Sequence, residues 1–248
     1  MKIALILVAA GKGKRVGGKT PKQFQKIHGK PLLAYTLEKF TKIKELTEIV
    51  IAVPPGKEKW AAKLLTPALK KFRKVEFVAG GKTRQESVFN ALQCLSDSIT
   101  HVLVHDGVRP FVNPKKVAEL LQMLATEDAV ILASPATDTV KLAALRLRSR
   151  SGPDGPSGPM AGFSTSNAVA ETLDRHKIFL AETPQGFKKE VLLQAHLEAQ
   201  KKGFTFSDDS ALVEATGRRV AICPSDGKNL KITSPEDFAL VRLLLPKR

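Results

Sequence analysis

The stretch that decides the fold is KIALILVAAGKGKRVGGKT, residues 2–20, in which an apolar run passes into a glycine-rich basic loop. The apolar residues 2–9 predict a buried β-strand. The loop behind them offers backbone amides and cations to phosphate groups. Two interpretations compete. From Gly13 the loop is G-K-R-V-G-G-K-T and matches the P-loop pattern, whereas from Gly11 it is a short glycine turn that ends in Arg15.

The residues after the loop distinguish the two interpretations. A P-loop needs a helix that begins at its Lys-Thr pair and points its N-terminus at the phosphates. Here PKQFQKIHGKP follows Thr20, and Gly29 and Pro31 would end a helix after about two turns. The context therefore favours a glycine turn, although the strand VLVHD (102–106) resembles a Walker B strand and keeps a P-loop NTPase as an alternative. A dinucleotide-binding turn is a third possibility, but Val16 stands where its third glycine is needed.

Composition narrows the class of protein. The 248 residues are 43% hydrophobic, which is ordinary for a globular chain with a sizeable core. The two cysteines, Cys94 and Cys223, have no metal-binding spacing, and this usage favours a reducing, cytoplasmic setting. Apart from the first strand, no apolar run approaches the roughly 20 residues of a membrane span. We therefore expect no membrane partner.

The net charge of +16 indicates anionic partners. The basic residues are spread along the whole chain, with no zinc spacing and no basic tract interleaved with aromatic residues. We therefore expect phosphorylated small molecules as partners, and no specific nucleic acid. A nucleic-acid-binding protein stays the alternative from a different functional class.

Strand-like and helical patterns alternate along the chain. Strands are predicted at 2–9, 48–54, 75–79, 101–106 and 129–134, with helices from Pro31, over 57–71, from a capping box at Thr83 and Glu86, and after Pro114. Further helices are predicted at 188–201, 208–216 and from Ser234, and RRVAICP predicts a late strand. This alternation predicts an α/β fold with a doubly wound, mostly parallel, Rossmann-like sheet.

Residues 146–167 are rich in Gly, Pro and Ser and interrupt the alternation. They predict an exposed loop or the tip of an excursion. Because regular patterns resume afterwards, we interpret the break as an insertion into a single domain of residues 1–248.

Several motifs together resemble one family. AAGKGKR (9–15) and TPKQF (20–24) are similar to the 2-C-methyl-D-erythritol 4-phosphate cytidylyltransferases of the non-mevalonate isoprenoid pathway. The resemblance continues in the family's order through GGKTRQESVFNAL (80–92), VHDGVRPFV (104–112), TDTVK (137–141), TLDR (172–175), ETPQGF (182–187), SDDSALVE (207–214) and NLKITSPEDF (229–238). These segments cover nearly the full length.

The resemblance implies a fold of the nucleotidyltransferase type and a specific reaction. CMP would pass from CTP to 2-C-methyl-D-erythritol 4-phosphate, giving 4-diphosphocytidyl-2-C-methyl-D-erythritol and pyrophosphate. A relative that uses ribitol 5-phosphate shares most of the motifs and stays an alternative. The resemblance also implies a dimerisation arm at about 136–178, and with it a homodimer whose sites are shared between subunits.

The resemblance implies roles for individual residues. It assigns catalysis to Arg15 and Lys22, which would stabilise negative charge at the α-phosphorus. Substrate positioning falls to Thr139, Arg175, Lys231 and Arg109, the last either binding phosphate or bracing Asp106. Nucleotide binding falls to Ala9, Ala10, Gly11, Gly13, Gly81, Ser87 and Asp106. The implied cofactor is Mg²⁺ or another divalent cation, with Asp106 and Asp208 as candidate ligands, either directly or through water.

Overall fold

The computed structural model describes residues 1–11, 20–144 and 168–246. The strands are β1 (Ile3–Val8), β2 (Lys26–Ile27), β3 (Lys30–Pro31), β4 (Leu46–Val53), β5 (Val75–Ala79), β6 (His101–Asp106), β7 (Ala129–Pro135), β8 (Lys141–Ala144), β9 (Ala168–Thr172), β10 (Phe179–Lys188) and β11 (Ala221–Pro224). The helices are α1 (Leu32–Phe40), α2 (Glu58–Leu69), α3 (Arg84–Gln93), α4 (Pro114–Leu124), α5 (Lys189–Lys202), α6 (Asp209–Glu214) and α7 (Pro235–Leu244).

The main sheet has the strand order β11-β7-β10-β6-β1-β4-β5. Strand β1 pairs in parallel with β4 and β6, and β10 runs antiparallel to β6. The prediction of a mostly parallel α/β sheet is confirmed. Strand β10 was not predicted, because Pro184 and the polar residues of ETPQGF hide its alternation.

Strand β1 is buried on both faces, which explains its continuous apolar sequence. Leu5 and Leu7 pack in one core with side chains of α1, α2 and α4, whereas Ala4 and Ile6 pack in a second core with side chains of α3 and α5. Each fully buried Leu or Ile side chain contributes roughly 1.5–3 kcal/mol relative to exposure. These two apolar layers hold the carboxyl ends of the parallel strands at one edge of the sheet.

No helix follows Thr20 directly. Residues 20–31 contain a single 3₁₀ turn at Lys22–Phe24 and the β2–β3 hairpin, and α1 begins only at Leu32. The helix that gives a P-loop its phosphate-binding N-terminus is thus absent from this stretch. The glycine-turn interpretation agrees with the structure on this point.

The predicted capping box at the start of α3 is half correct. The Thr83 hydroxyl accepts the Glu86 N–H at 3.0 Å, as a helix N-cap should. The Glu86 carboxylate, however, accepts the N–H of Lys82 at 2.7 Å instead of that of Thr83. The reason is local: Gly81 has no side chain, so Glu86 packs directly against it and reaches the turn beyond.

The chain divides into two compact units. The large unit is Met1–Ala133 with Ala181–Arg248, and the small unit is Ser134–Leu180. Within the small unit, β8 and β9 form an antiparallel ladder. The predicted arm at about 136–178 falls within the small unit, and its insertion into a single domain stays a prediction. None of the described helices is long and apolar enough to cross a membrane.

Candidate active site

The turn after β1 is fixed by a buried glutamine. Ala9 donates its N–H to Ala52 O at 2.8 Å, which continues the ladder to β4. The Gln23 side chain, 2% exposed, donates from Nε2 to the carbonyl of Ala9 and to that of Gly11, the latter at 2.9 Å. The P-K-Q sequence thus folds back on the glycine turn. Gln23 was missed from sequence, although it stands beside the predicted Lys22.

A second glycine turn packs against the first. A Cβ atom on Gly80 would lie 2.2 Å from the Ala10 Cβ, so only glycine permits this approach. The next residue, Gly81, donates its N–H to Ser87 Oγ at 3.0 Å, and that hydroxyl donates to Thr83 O at 2.8 Å. The structure therefore brings together three of the predicted nucleotide-binding residues, Ala10, Gly81 and Ser87.

Asp106 lies at the carboxyl end of β6, directly beside the turn after β1, where Val8 is its partner in the ladder. Its Oδ2 lies 2.9 Å from Lys231 Nζ and 3.4 Å from Arg109 Nε, and its Oδ1 lies 3.4 Å from Arg84 Nε. Burial alone would raise the pKa of Asp106, but the charges of Arg84, Lys231 and Arg109 outweigh burial and hold that pKa well below its usual range. The carboxylate is therefore ionised.

Residues 229–232 hold two cationic side chains through their backbone carbonyls and supply a third, Lys231. Lys22 Nζ donates to Ile232 O at 2.7 Å, and Arg109 Nη1 donates to Asn229 O at 2.8 Å. The backbone of this segment is held in turn by the bond from Ile232 N to Val108 O. Lys22, Arg109 and Lys231 are thus brought to one place, and Arg109 braces Asp106 as one of its two predicted roles requires.

Asp208 is the N-cap of α6. Its Oδ1 accepts the Ala211 N–H at 3.1 Å, and its Oδ2 accepts from Gln185 Nε2 at 2.7 Å and from Ser210 Oγ at 3.0 Å. These contacts give both oxygens a structural function, and a metal role for Asp208 stays a prediction without support.

Metal binding can be tested against the donors that the structure provides. Within residues 1–11, 20–144 and 168–246, no group of three or more His, Cys, Asp or Glu side chains is arranged to hold a metal ion. Asp106 is an ionised oxygen donor beside the predicted phosphate-binding residues. This fits Mg²⁺, which keeps several waters and binds through one or two carboxylates together with substrate phosphates.

The other predicted residues fall elsewhere. Thr139 and Arg175 belong to the small unit, in which Arg175 Nη1 donates to Thr137 O at 3.0 Å. Gly13 and Arg15 lie outside the described residues, as does the Gly/Pro-rich stretch 146–167. Arg84 was not predicted as a site residue, although it lies within the quoted motif GGKTRQESVFNAL and contacts Asp106.

Comparisons with known proteins point to one family. The family model described as IspD, 2-C-methyl-D-erythritol 4-phosphate cytidylyltransferase, matches residues 3–149 and 160–247. The protein of that name from Solibacter usitatus is 38% identical over 252 residues, covering 99% of this chain and 96% of the relative. A bifunctional IspD/IspF enzyme from Desulforudis audaxviator is 37% identical over 97% of this chain, which spans 56% of that longer protein.

Solved structures show the same likeness. The 2-C-methyl-D-erythritol 4-phosphate cytidylyltransferase of Thermus thermophilus aligns with a TM-score of 0.72 at 32% identity over 98% of each chain. A 4-diphosphocytidyl-2C-methyl-D-erythritol synthase from Anaerococcus prevotii aligns with a TM-score of 0.78 at 27% identity, over 98% of this chain and 95% of that one. The chain therefore belongs to the IspD family, the 2-C-methyl-D-erythritol 4-phosphate cytidylyltransferases.

Proposed function

We propose that the chain transfers CMP from CTP to 2-C-methyl-D-erythritol 4-phosphate. The observation that carries the proposal is the pairing of Asp106 with Arg109 and Lys231, with Lys22 held by the adjacent Ile232, beside two glycine turns in contact. Backbone amides and fixed cations are what a triphosphate needs. Membership of the IspD family supports CTP as the donor and the erythritol phosphate as the acceptor.

The reaction is an in-line displacement at the α-phosphorus. An oxygen of the acceptor phosphate forms the new bond, the bond from the α-phosphorus to the bridging oxygen breaks, and pyrophosphate leaves with its electron pair. The attacking phosphate oxygen is already ionised, so no general base is required. Catalysis then consists of positioning and of stabilising negative charge.

Lys22 and Arg15 stabilise the charge that develops at the α-phosphorus. The hydrogen bond to Ile232 O fixes the direction of the Lys22 side chain before substrate arrives. Such preorganisation is favourable because no group has to reorient during the reaction. Lys231 is paired with Asp106 and is 43% exposed, so an incoming phosphate dianion can reach it.

Mg²⁺ would be held by the triphosphate, by water and by Asp106, and it would neutralise phosphate charge. Ionised Asp106, kept so by three cations, is the protein's contribution to that site.

The small unit supplies the acceptor side and the assembly. Thr139 and Arg175 are the residues of this unit that we assign to the phosphate of the acceptor. The exposed apolar side chains Leu142 and Val169 on the β8–β9 ladder support a homodimer formed through this unit. The two free cysteines suit a cytoplasmic setting.

A pyrophosphate-release assay tests the proposal. Purified protein receives CTP and Mg²⁺ with the erythritol phosphate, with ribitol 5-phosphate, or with no acceptor. Release that depends on the erythritol phosphate supports the proposal. Faster release with ribitol 5-phosphate would show that ribitol 5-phosphate is the acceptor. Absence of release with either acceptor would contradict the assignment as a cytidylyltransferase. Hydrolysis of ATP or GTP without an acceptor would instead support the alternative that the protein is a P-loop NTPase.

A further inference from the structure

Arg84 links three elements behind the site. It is the first residue of α3, and its guanidinium lies between the end of β6 and the start of α6. Nε lies 3.4 Å from Asp106 Oδ1, and Nη1 donates to Asp209 Oδ2 at 2.7 Å. The Arg84 side chain is 23% exposed, and that of Asp209 is fully buried. One partly buried cation thus bridges two carboxylates.

Asp209, which accepts a hydrogen bond from Arg84, is itself held in place by neighbouring residues. The Gln185 Oε1 accepts the N–H groups of both Asp209 and Ser210 at 3.2 Å. Asp208 caps the same helix and also contacts Gln185. Asp209 therefore has little freedom to move, and it can hold the Arg84 guanidinium in a single orientation.

Stability alone does not account for this cluster. Arg84 Nη2, Asp209 Oδ1 and the neighbouring His196 Nε2 are buried without a hydrogen-bond partner among the described residues. The closest approach between the last two is 3.8 Å. Burying a charged pair with unsatisfied atoms is unfavourable, and well-packed apolar side chains of similar volume are often as stable or more stable. A functional role explains the presence of this pair better than stability does.

We propose that Arg84 is a positioning residue for nucleotidyl transfer. Its guanidinium, anchored on Asp209, holds Oδ1 of Asp106 so that Oδ2 faces Lys231 and Arg109. The Asp106 carboxylate is thereby held in one orientation before substrate binds. The inference rests on the proposed function, and it gives Arg84 no direct contact with substrate.

The bridge requires an arginine. Nε and Nη1 donate from different sides of the planar guanidinium and so contact different carboxylates, with their relative directions fixed by the rigid group. A lysine carries one nitrogen on a flexible stem, so it would keep the charge and lose one of the two contacts.

The decisive variant is the double substitution Arg84→Met with Asp209→Leu, which replaces both charges by apolar side chains. Its control is Glu48→Gln, because Glu48 is 3% exposed and its carboxylate pairs with Lys74 at 2.7 Å in another part of the large unit. Each protein is measured for its Tm, its CTP Kd by calorimetry with Mg²⁺ present, and its kcat for pyrophosphate release with the erythritol phosphate.

We expect the double variant to keep its Tm within a few degrees and to lose about 100-fold in kcat, as displacement of a reacting group by about 1 Å does. The CTP Kd should change by less than the loss in kcat, and Glu48→Gln should keep the parent kcat. Arg84→Lys serves if the double variant does not fold: we expect a Tm near that of the parent and a kcat about 10-fold lower.

A folded double variant or Arg84→Lys variant with a kcat within about threefold of the parent overturns the inference and leaves the proposed function standing. An equal loss of kcat in Glu48→Gln overturns it too, since a distant buried pair would then matter as much. A parent that releases no pyrophosphate overturns the proposed function and the inference with it.

Discussion

The two units of the chain bury their strands very differently. In the large unit, Ile3, Leu5 and Leu7 of β1 are fully buried between helical layers. In the small unit every residue of β9 is exposed, including Val169 at 62%. A two-stranded ladder is marginally stable by itself in water. The large unit therefore builds its site on a core of its own, whereas the β8–β9 ladder of the small unit leaves apolar side chains such as Leu142 and Val169 exposed.

The largest effect should come from the large unit's preorganised lysine. We expect Lys22→Ala to lower kcat by about 100- to 1000-fold, because a fixed cation at the developing charge is lost. The CTP Kd should change much less. The matched control is Lys26→Ala, an exposed lysine on the following hairpin, which should keep its activity. Equal losses in both variants, or a loss confined to CTP affinity, would contradict the assignment.

The contact between the two glycine turns tests how tightly the large unit is packed. Gly80→Ala places a Cβ 2.2 Å from that of Ala10, and such overpacking costs about 1–3 kcal/mol. We expect a lower Tm and weaker CTP binding, measured by thermal unfolding and calorimetry. Adding Ala10→Gly removes the opposing methyl group and should restore part of both. A fully stable Gly80→Ala variant would show that the turns can separate freely.

A substitution in the small unit should change the oligomeric state of the protein and not the stability of its fold. We expect Val169→Glu to leave the Tm of the large unit unchanged, to convert a dimer to a monomer in light scattering, and to lower activity about 10-fold because shared sites are lost. The control Leu243→Glu lies on α7 in the large unit and is even more exposed, at 84%. A dimer that survives Val169→Glu and dissociates on Leu243→Glu would place the interface elsewhere.

The smallest effect is a pH dependence that belongs to the large unit. Burial lowers the pKa of His105 and of His196 to about 4. The unfolded chain takes up these protons near the ordinary histidine pKa of about 6.5, so the stabilising contribution is complete above that pH and is lost as pH falls toward 4.

Each histidine should contribute on the order of 1 kcal/mol to the difference between pH 7.5 and pH 5. His196→Leu removes one titrating group, so its Tm should fall less over that interval than the parent Tm, in thermal unfolding at both pH values. An identical fall in the two proteins would show that other groups carry the acid sensitivity.

Local pattern predicted most of the fold. Strand β1 is recognisable from its continuous apolar residues, and helices α3 and α7 are recognisable from their N-caps, Thr83 and Ser234. These signals can be read from the sequence because they act over only a few residues. Strand β10 gave no such signal, because its proline and polar residues are tolerated only by its particular neighbours in the sheet.

The site was predictable as a set of residue types and not as a set of contacts. Resemblance pointed to Lys22, Asp106 and Lys231, which the structure brings together. The partners of Gln23 and Arg84 depend on tertiary folding, since Arg84 contacts Asp209 across 125 positions of sequence. No periodicity or spacing encodes a contact of that kind, and only the folded chain reveals it.

The bond between Lys22 and Ile232 spans 210 positions, and that between Arg109 and Asn229 spans 120. Ribosomes deliver a chain from its N-terminus. A nascent chain therefore carries its phosphate turn and Asp106 long before the segment 229–232 that orders the surrounding cations. We expect ribosome-bound chains that end before Asn229 to be catalytically silent, and activity to appear only after residues 229–232 have been added and have folded against Lys22 and Arg109.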